Sequence, residues 1–206
     1  METEVARCDR TPQADAATLV PVFLVFNLVI TTFYFVAGIV LLEKAEGTLA
    51  ALVTTPQRDW EYLISKVITL TALGMVERLS IVTLLLGAEV RWGPLFAGTL
   101  LLGAFYVLAG FVSVVRYDSL NEWLMPSVLW VTLLVLPAFG HLGLARHPVG
   151  YLLPTQPPFT LMAGGYSGLS AREVVYGTLG AACWLGLSFA AARRRFHRFV
   201  TRAAGG

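Results

Sequence analysis

The stretch Thr18–Leu42, TLVPVFLVFNLVITTFYFVAGIVLL, contains no charged residue. The hydrocarbon core of a bilayer is about 30 Å thick, and a helix needs about 20 apolar residues to cross it. This stretch meets that length and is read as a membrane span. Four more follow: Tyr62–Gly87, with Glu77 and Arg78 near its middle; Pro94–Val115; Trp123–Leu144; and Val174–Ala192. Pro126 and Pro137 are expected to kink the fourth. The spans predict an all-α, polytopic transmembrane helix bundle, a single membrane domain covering residues 1–206.

Composition agrees with that class. Of 206 residues, 56% are hydrophobic and 14% charged, with a mean hydropathy of +0.70; a soluble domain carries about 25% charged residues. A net charge of +2 argues against a polyanion-binding chain. Cys8 and Cys183 are far apart, which supports neither a disulfide framework nor a zinc site. The first 17 residues are polar and mixed in charge, so no cleavable signal peptide is expected. The remaining polar pieces are the linker 43–61, turns near 88–93 and 116–122, a Pro/Gly-rich segment 145–173 and a tail from Arg193. None is long enough to bury a soluble core. Trp60, Tyr62, Trp92, Tyr117, Trp123 and Tyr151 stand at predicted span ends, where rings with a polar edge favour the headgroup level.

Five spans put the two termini on opposite sides. One side collects Lys44, Arg58, Lys66, Arg116, Arg193, Arg194, Arg195, Arg198 and Arg202; the other collects Arg7, Arg10, Arg91, Arg146 and Arg172. The richer side is expected to be cytoplasmic. This places the N-terminus out and the C-terminus in, in a bacterial-type cytoplasmic membrane. The 145–173 segment then lies outside, as a re-entrant or surface element.

The linker holds the most specific signal. Leu49, Leu52 and Val53 share one helical face beside polar Glu43, Lys44 and Glu46, which predicts a short interfacial amphipathic helix. Thr55 suits an N-cap and Pro56 the first helical position, and Asp59 and Glu61 favour a helix start. A helix therefore restarts at Pro56 and runs into the second span. An ordinary well-capped loop and a docking helix for a cytoplasmic partner both fit these residues.

The run from Glu43 to Lys66 resembles the membrane subunit of type-2 ABC exporters, and most resembles the fluoroquinolone-export permease type. The matching residues are Glu43, Lys44, Glu46, Gly47, Thr48, Leu49, Thr55, Pro56, Glu61, Tyr62, Leu63 and Lys66. The resemblance implies that the linker is a coupling helix, with Glu43, Glu46, Gly47, Thr48, Leu49, Thr55 and Pro56 contacting a separate ATP-hydrolysing subunit. It implies a second permease subunit, homo- or heterodimeric, and ATP with Mg on the partner subunit rather than on this chain. It also implies a hydrophobic or amphipathic cargo such as a drug. That family usually has six spans, so the five counted here correspond to six lacking the first. The competing reading is a non-transporting membrane scaffold or assembly protein.

Within the spans, Glu77 and Arg78 are costly, each at roughly 2.5–3.5 kcal/mol on insertion scales. They are expected either to line a pathway or to pair within the membrane, with each other or with groups such as Asn27 or Thr31. Adjacent residues lie about 100° apart around a helix, so they cannot point at one spot. Gly98, Gly103 and Gly110 in the third span, and Gly177, Ala181, Gly186 and Ala190 in the fifth, permit close helix approach, within the chain or between copies.

No catalytic residue is expected. Gly165-Tyr166-Ser167-Gly168 resembles the serine motif of rhomboid proteases, but the only later histidine, His197, falls on the opposite face. No His-Glu-x-x-His zinc motif and no phosphate-binding loop occur. The cluster Arg193, Arg194, Arg195 and Arg198 follows directly on a span and is read as a lipid and topology anchor rather than a nucleic-acid site.

Overall fold

A computed structural model describes residues 12–51, 59–86, 90–143 and 148–204. Among these residues there is no strand, and the all-α expectation holds. The first rod joins α1 (Pro12–Leu28), a π-helical turn (Val29–Tyr34) and α2 (Phe35–Ala45). Then come α3 (Thr48–Ala51), α4 (Asp59–Leu86), α5 (Trp92–Val114) and α6 (Leu120–His141). A 3-10 turn (Pro148–Leu152), α7 (Gln156–Ser167) and α8 (Ala171–Ala204) complete the described chain. Five helices are long and apolar enough to cross a membrane: Thr18–Ala45, Trp60–Leu85, Trp92–Val114, Leu120–His141 and Ala171–Arg198.

The bundle is built around α5, in which every residue from Phe105 to Val114 is buried. Lipid offers helices little hydrophobic reason to associate, so close backbone approach has to hold them. The glycines of α5 provide it. A Cβ on Gly98 would lie 2.2 Å from the Met162 backbone nitrogen of α7, and one on Gly110 would lie 2.4 Å from a Val36 methyl. On α8, Gly177 meets Leu161 and Ala181 is buried, whereas Gly186 has open space around it. The first small-xxx-small pair of α8 therefore packs within the chain.

At 1.5 Å per residue, α7 is about 18 Å long, too short to span. It lies against α5 and α8 with Pro157–Phe159 and Leu161–Gly165 buried. The Arg91 amide donates to the Gly165 carbonyl at 3.0 Å, fixing α7 at the end of the bundle where α5 begins. The Leu134 carbonyl of α6 accepts the hydroxyls of Tyr106 and Thr155, each at 3.0 Å.

Two aromatics expected at headgroups are inside instead. Trp123 is fully buried, packs on Phe33 and Tyr34 at 5.6 and 5.3 Å, and donates its indole N–H to Ser113 Oγ at 3.1 Å. With a protein acceptor for its one polar atom, the ring needs no water. Tyr62 is also buried, stacked on Phe196 at 5.0 Å.

Gly98→Val should separate α5 from α7, because two backbones rather than a flexible side chain must move. We expect a lower melting temperature in detergent, by an overpacking cost of at least about 1–3 kcal/mol. Gly38→Ala, where a Cβ meets nothing within 4 Å, should melt like wild type. If Gly98→Val also melts unchanged, the α5–α7 contact is wrong.

Candidate coupling and translocation sites

The linker is tied to the bundle at both its ends that the structure describes. Tyr62 and Lys66, four apart and so on one face of α4, both bond Glu43: Tyr62 through its hydroxyl, Lys66 as an ion pair. Lys44 points the other way. Its ammonium donates to the carbonyls of Val115 and Tyr117 at 2.6 and 2.7 Å and pairs with Asp118 at 3.2 Å. It thus caps the C-terminus of α5, where free carbonyls and the helix dipole favour a cation. Glu43 and Lys44 together hold the end of α2 against α4 and the α5–α6 turn.

After Ala45 the chain turns sharply. Glu46 bonds back to Leu42 at 2.9 Å and Gly47 to Lys44 at 3.1 Å, with Gly47 at φ +72°. A side chain there would cost roughly 1–2 kcal/mol in backbone strain, which accounts for the glycine. Glu46, Gly47 and Thr48 are exposed, while Leu49 is 2% exposed and holds α3 against α2 and α8. Leu52, Val53, Thr55 and Pro56 lie outside the described residues.

Glu77 and Arg78 both find partners on the first rod. Asn27 Nδ2 donates to Glu77 Oε1 at 2.9 Å, and Arg78 Nη2 donates to Thr32 Oγ1 at 2.6 Å. In an α-helix residues five apart point about 140° away from each other. The π turn from Val29 to Tyr34 bonds residues five apart, and this extra residue brings Thr32 round towards the face that carries Asn27. Arg78 runs back over Gly74, where a Cβ would lie 2.4 Å from its Nη1, as helical side chains lean towards the N-terminus. The guanidinium therefore sits deeper than its Cα, near Gly103 in the middle of α5. Arg78 is 1% exposed, and its Nε and Nη1, Thr71 Oγ1 and Asn27 Oδ1 have no hydrogen-bond partner among the described residues.

Glu77→Gln keeps an oxygen for Asn27 and removes only the charge. It should reduce export more than membrane abundance, measured by vesicle transport and immunoblot of the same preparations. Equal losses would make Glu77 structural.

Along the C-terminal part of α8, Arg193, Arg194 and Arg198 are exposed. Arg195 donates to the Val112 carbonyl of α5 at 2.7 Å, and Phe196 is buried between Tyr62 and Phe111. At about 1.5 Å per residue, the 34 residues of α8 reach well beyond a 30 Å core. Ser167 donates to the Ala163 carbonyl at 3.3 Å, an ordinary helical back-bond.

Sequence reasoning missed Lys44 as a cap, Thr32, and Phe196 as the wedge beneath Tyr62. Lys44, Tyr62 and Lys66 stood within the linker run; their mutual contacts needed the fold. Among the described residues no group of histidine, cysteine, aspartate and glutamate could hold a metal.

Comparison with known proteins places this architecture. Residues 10–204 match the fluoroquinolones export permease protein family. Fluoroquinolones export permease proteins of two Mycobacterium tuberculosis strains, CDC 1551 / Oshkosh and ATCC 25618 / H37Rv, are each 34% identical over 192 residues, covering 90% of this chain and 79% of the relative. A match over nearly the whole bundle, with the linker run inside it, assigns the chain: it is a multi-pass membrane protein of the fluoroquinolones export permease protein family.

Proposed function

We propose that this chain is the membrane-spanning permease subunit of an ABC exporter, moving a fluoroquinolone-like amphipathic compound across the cytoplasmic membrane. A separate ATPase subunit binds ATP and Mg and hydrolyses it. A second permease subunit completes the pathway. The observation that carries this reading is the pinned linker. A push on exposed Glu46, Gly47 and Thr48 reaches α4 through Glu43, the α5–α6 turn through Lys44, and α8 through Leu49. A loop with only connecting duty has no need of three such attachments. The linker, the end of α5 and the arginine-rich end of α8 share one end of the bundle, and its excess of Lys and Arg supports a cytoplasmic placement.

The test is co-expression with a candidate ABC ATPase subunit from the same genome, followed by transport of norfloxacin into everted vesicles. ATP-dependent accumulation that needs both chains supports the reading. Accumulation that ignores either chain would leave a scaffold.

A further inference from the structure

At the end of the bundle opposite the linker, α6, the 3-10 turn, α7 and the start of α8 enclose a cleft of about 790 Å³. That is the size of small-molecule sites, about 300–1,000 Å³. Its lining includes the rings of Tyr151, Phe159 and Tyr176 and the exposed Arg172. The rim is tied shut on one side: Tyr176 donates its hydroxyl to the Tyr151 carbonyl at 2.6 Å, and their rings meet edge-on at 6.0 Å. On the other side His141 meets the edge of Phe159 at 5.3 Å.

The polar groups of the cleft differ in what they have left to give. Thr160 and Ser167 donate their hydroxyls to helix carbonyls. Glu173 is held by Ser170, whose amide and hydroxyl both donate to Oε2, at 2.8 and 2.7 Å. Arg172 makes no hydrogen bond or ion pair among the described residues. A guanidinium with its donors available beside aromatic walls matches a flat ring that bears a carboxylate, since the planar fork pairs with a carboxylate bidentately.

We infer that this cleft binds an aromatic carboxylate, with Arg172 on the carboxylate and Tyr151, Phe159 and Tyr176 along the ring. That the ligand is cargo rests on the export reading above; that it binds here does not.

The test titrates full-length protein in phosphatidylcholine nanodiscs with norfloxacin, a fluorescent aromatic carboxylic acid, and with its ethyl ester. Arg172→Gln should weaken the acid about tenfold, the scale of one lost charge-assisted hydrogen bond, and leave the ester unchanged. Tyr151→Ala, at an exposed ring, should weaken both. Equal affinity of wild type and Arg172→Gln for the acid overturns the proposal. So does loss of norfloxacin binding in phosphatidylglycerol nanodiscs that Arg172→Gln relieves, because the group bound would then be a lipid phosphate. Arg172-dependent binding without ATP-driven transport would sink the export reading and keep the cleft; transport with Arg172-independent binding would do the reverse.

Discussion

On the proposed coupling role of the linker, Gly47→Pro and Leu49→Asp should each uncouple the permease from the partner ATPase, abolishing ATP-driven export while the bundle stays folded. Proline holds φ near −65°, whereas Gly47 stands at +72° and donates its amide to Lys44. A mismatch of about 3 kcal/mol or more lowers the population of docked α3 by over a hundredfold. Leu49→Asp acts on the same element from the other side, placing a carboxylate where a 2%-exposed leucine closes α3 onto α8. The bundle should survive both changes, because the Glu43–Lys66 pair and the Lys44 cap lie before the turn. Gly47→Ala should be milder, since a Cβ there meets nothing within 4 Å and only the backbone is strained. The readouts are ATPase co-purification and thermal melting of the permease alone. Co-purification equal to wild type in both strong variants defeats the coupling assignment; a collapsed melting temperature would make the linker part of the fold instead.

The spans were legible because lipid imposes length and apolarity on every residue between two ends. What each span packs against was less so. An aromatic at a helix end suits a headgroup or a bundle interior equally, and Trp123 and Tyr62 took the interior because Ser113 and Phe196 supply partners from distant elements. Asn27 was foreseen beside the intramembrane charges, but Thr32 was not. Thr31 and Thr32 are indistinguishable in composition, and the π turn decides which one faces Arg78. The start of α7 is written in Pro157 and Pro158, which suit a first turn. Its burial depends on Gly98, nearly sixty positions earlier. The linker shows the same division: its residues were recognisable as a run, and its three attachments exist only in the folded bundle.

Arg78→Met should leave the protein at least as stable as wild type and remove most of its export. Among the described residues the buried guanidinium makes one hydrogen bond, to Thr32, and its Nε and Nη1 have no partner. Holding a charge at this depth costs roughly 2.5–3.5 kcal/mol on insertion scales. Replacing buried charges with apolar residues of similar volume is often neutral, or stabilising by about 1–4 kcal/mol. Methionine is unbranched and adaptable, so it can follow the path that Gly74 leaves open. The loss is then confined to Thr32 and to the charge beside Glu77. Melting in detergent and ATP-driven transport in vesicles separate the two effects. A fall in melting temperature parallel to the loss of transport would show that Arg78 glues the bundle. Stability kept while export falls tenfold or more would show that the charge serves the moving protein. Thr32 belongs to the π turn of the same rod that ends at the linker, so a displacement of that rod would be transmitted to the Arg78–Thr32 bond.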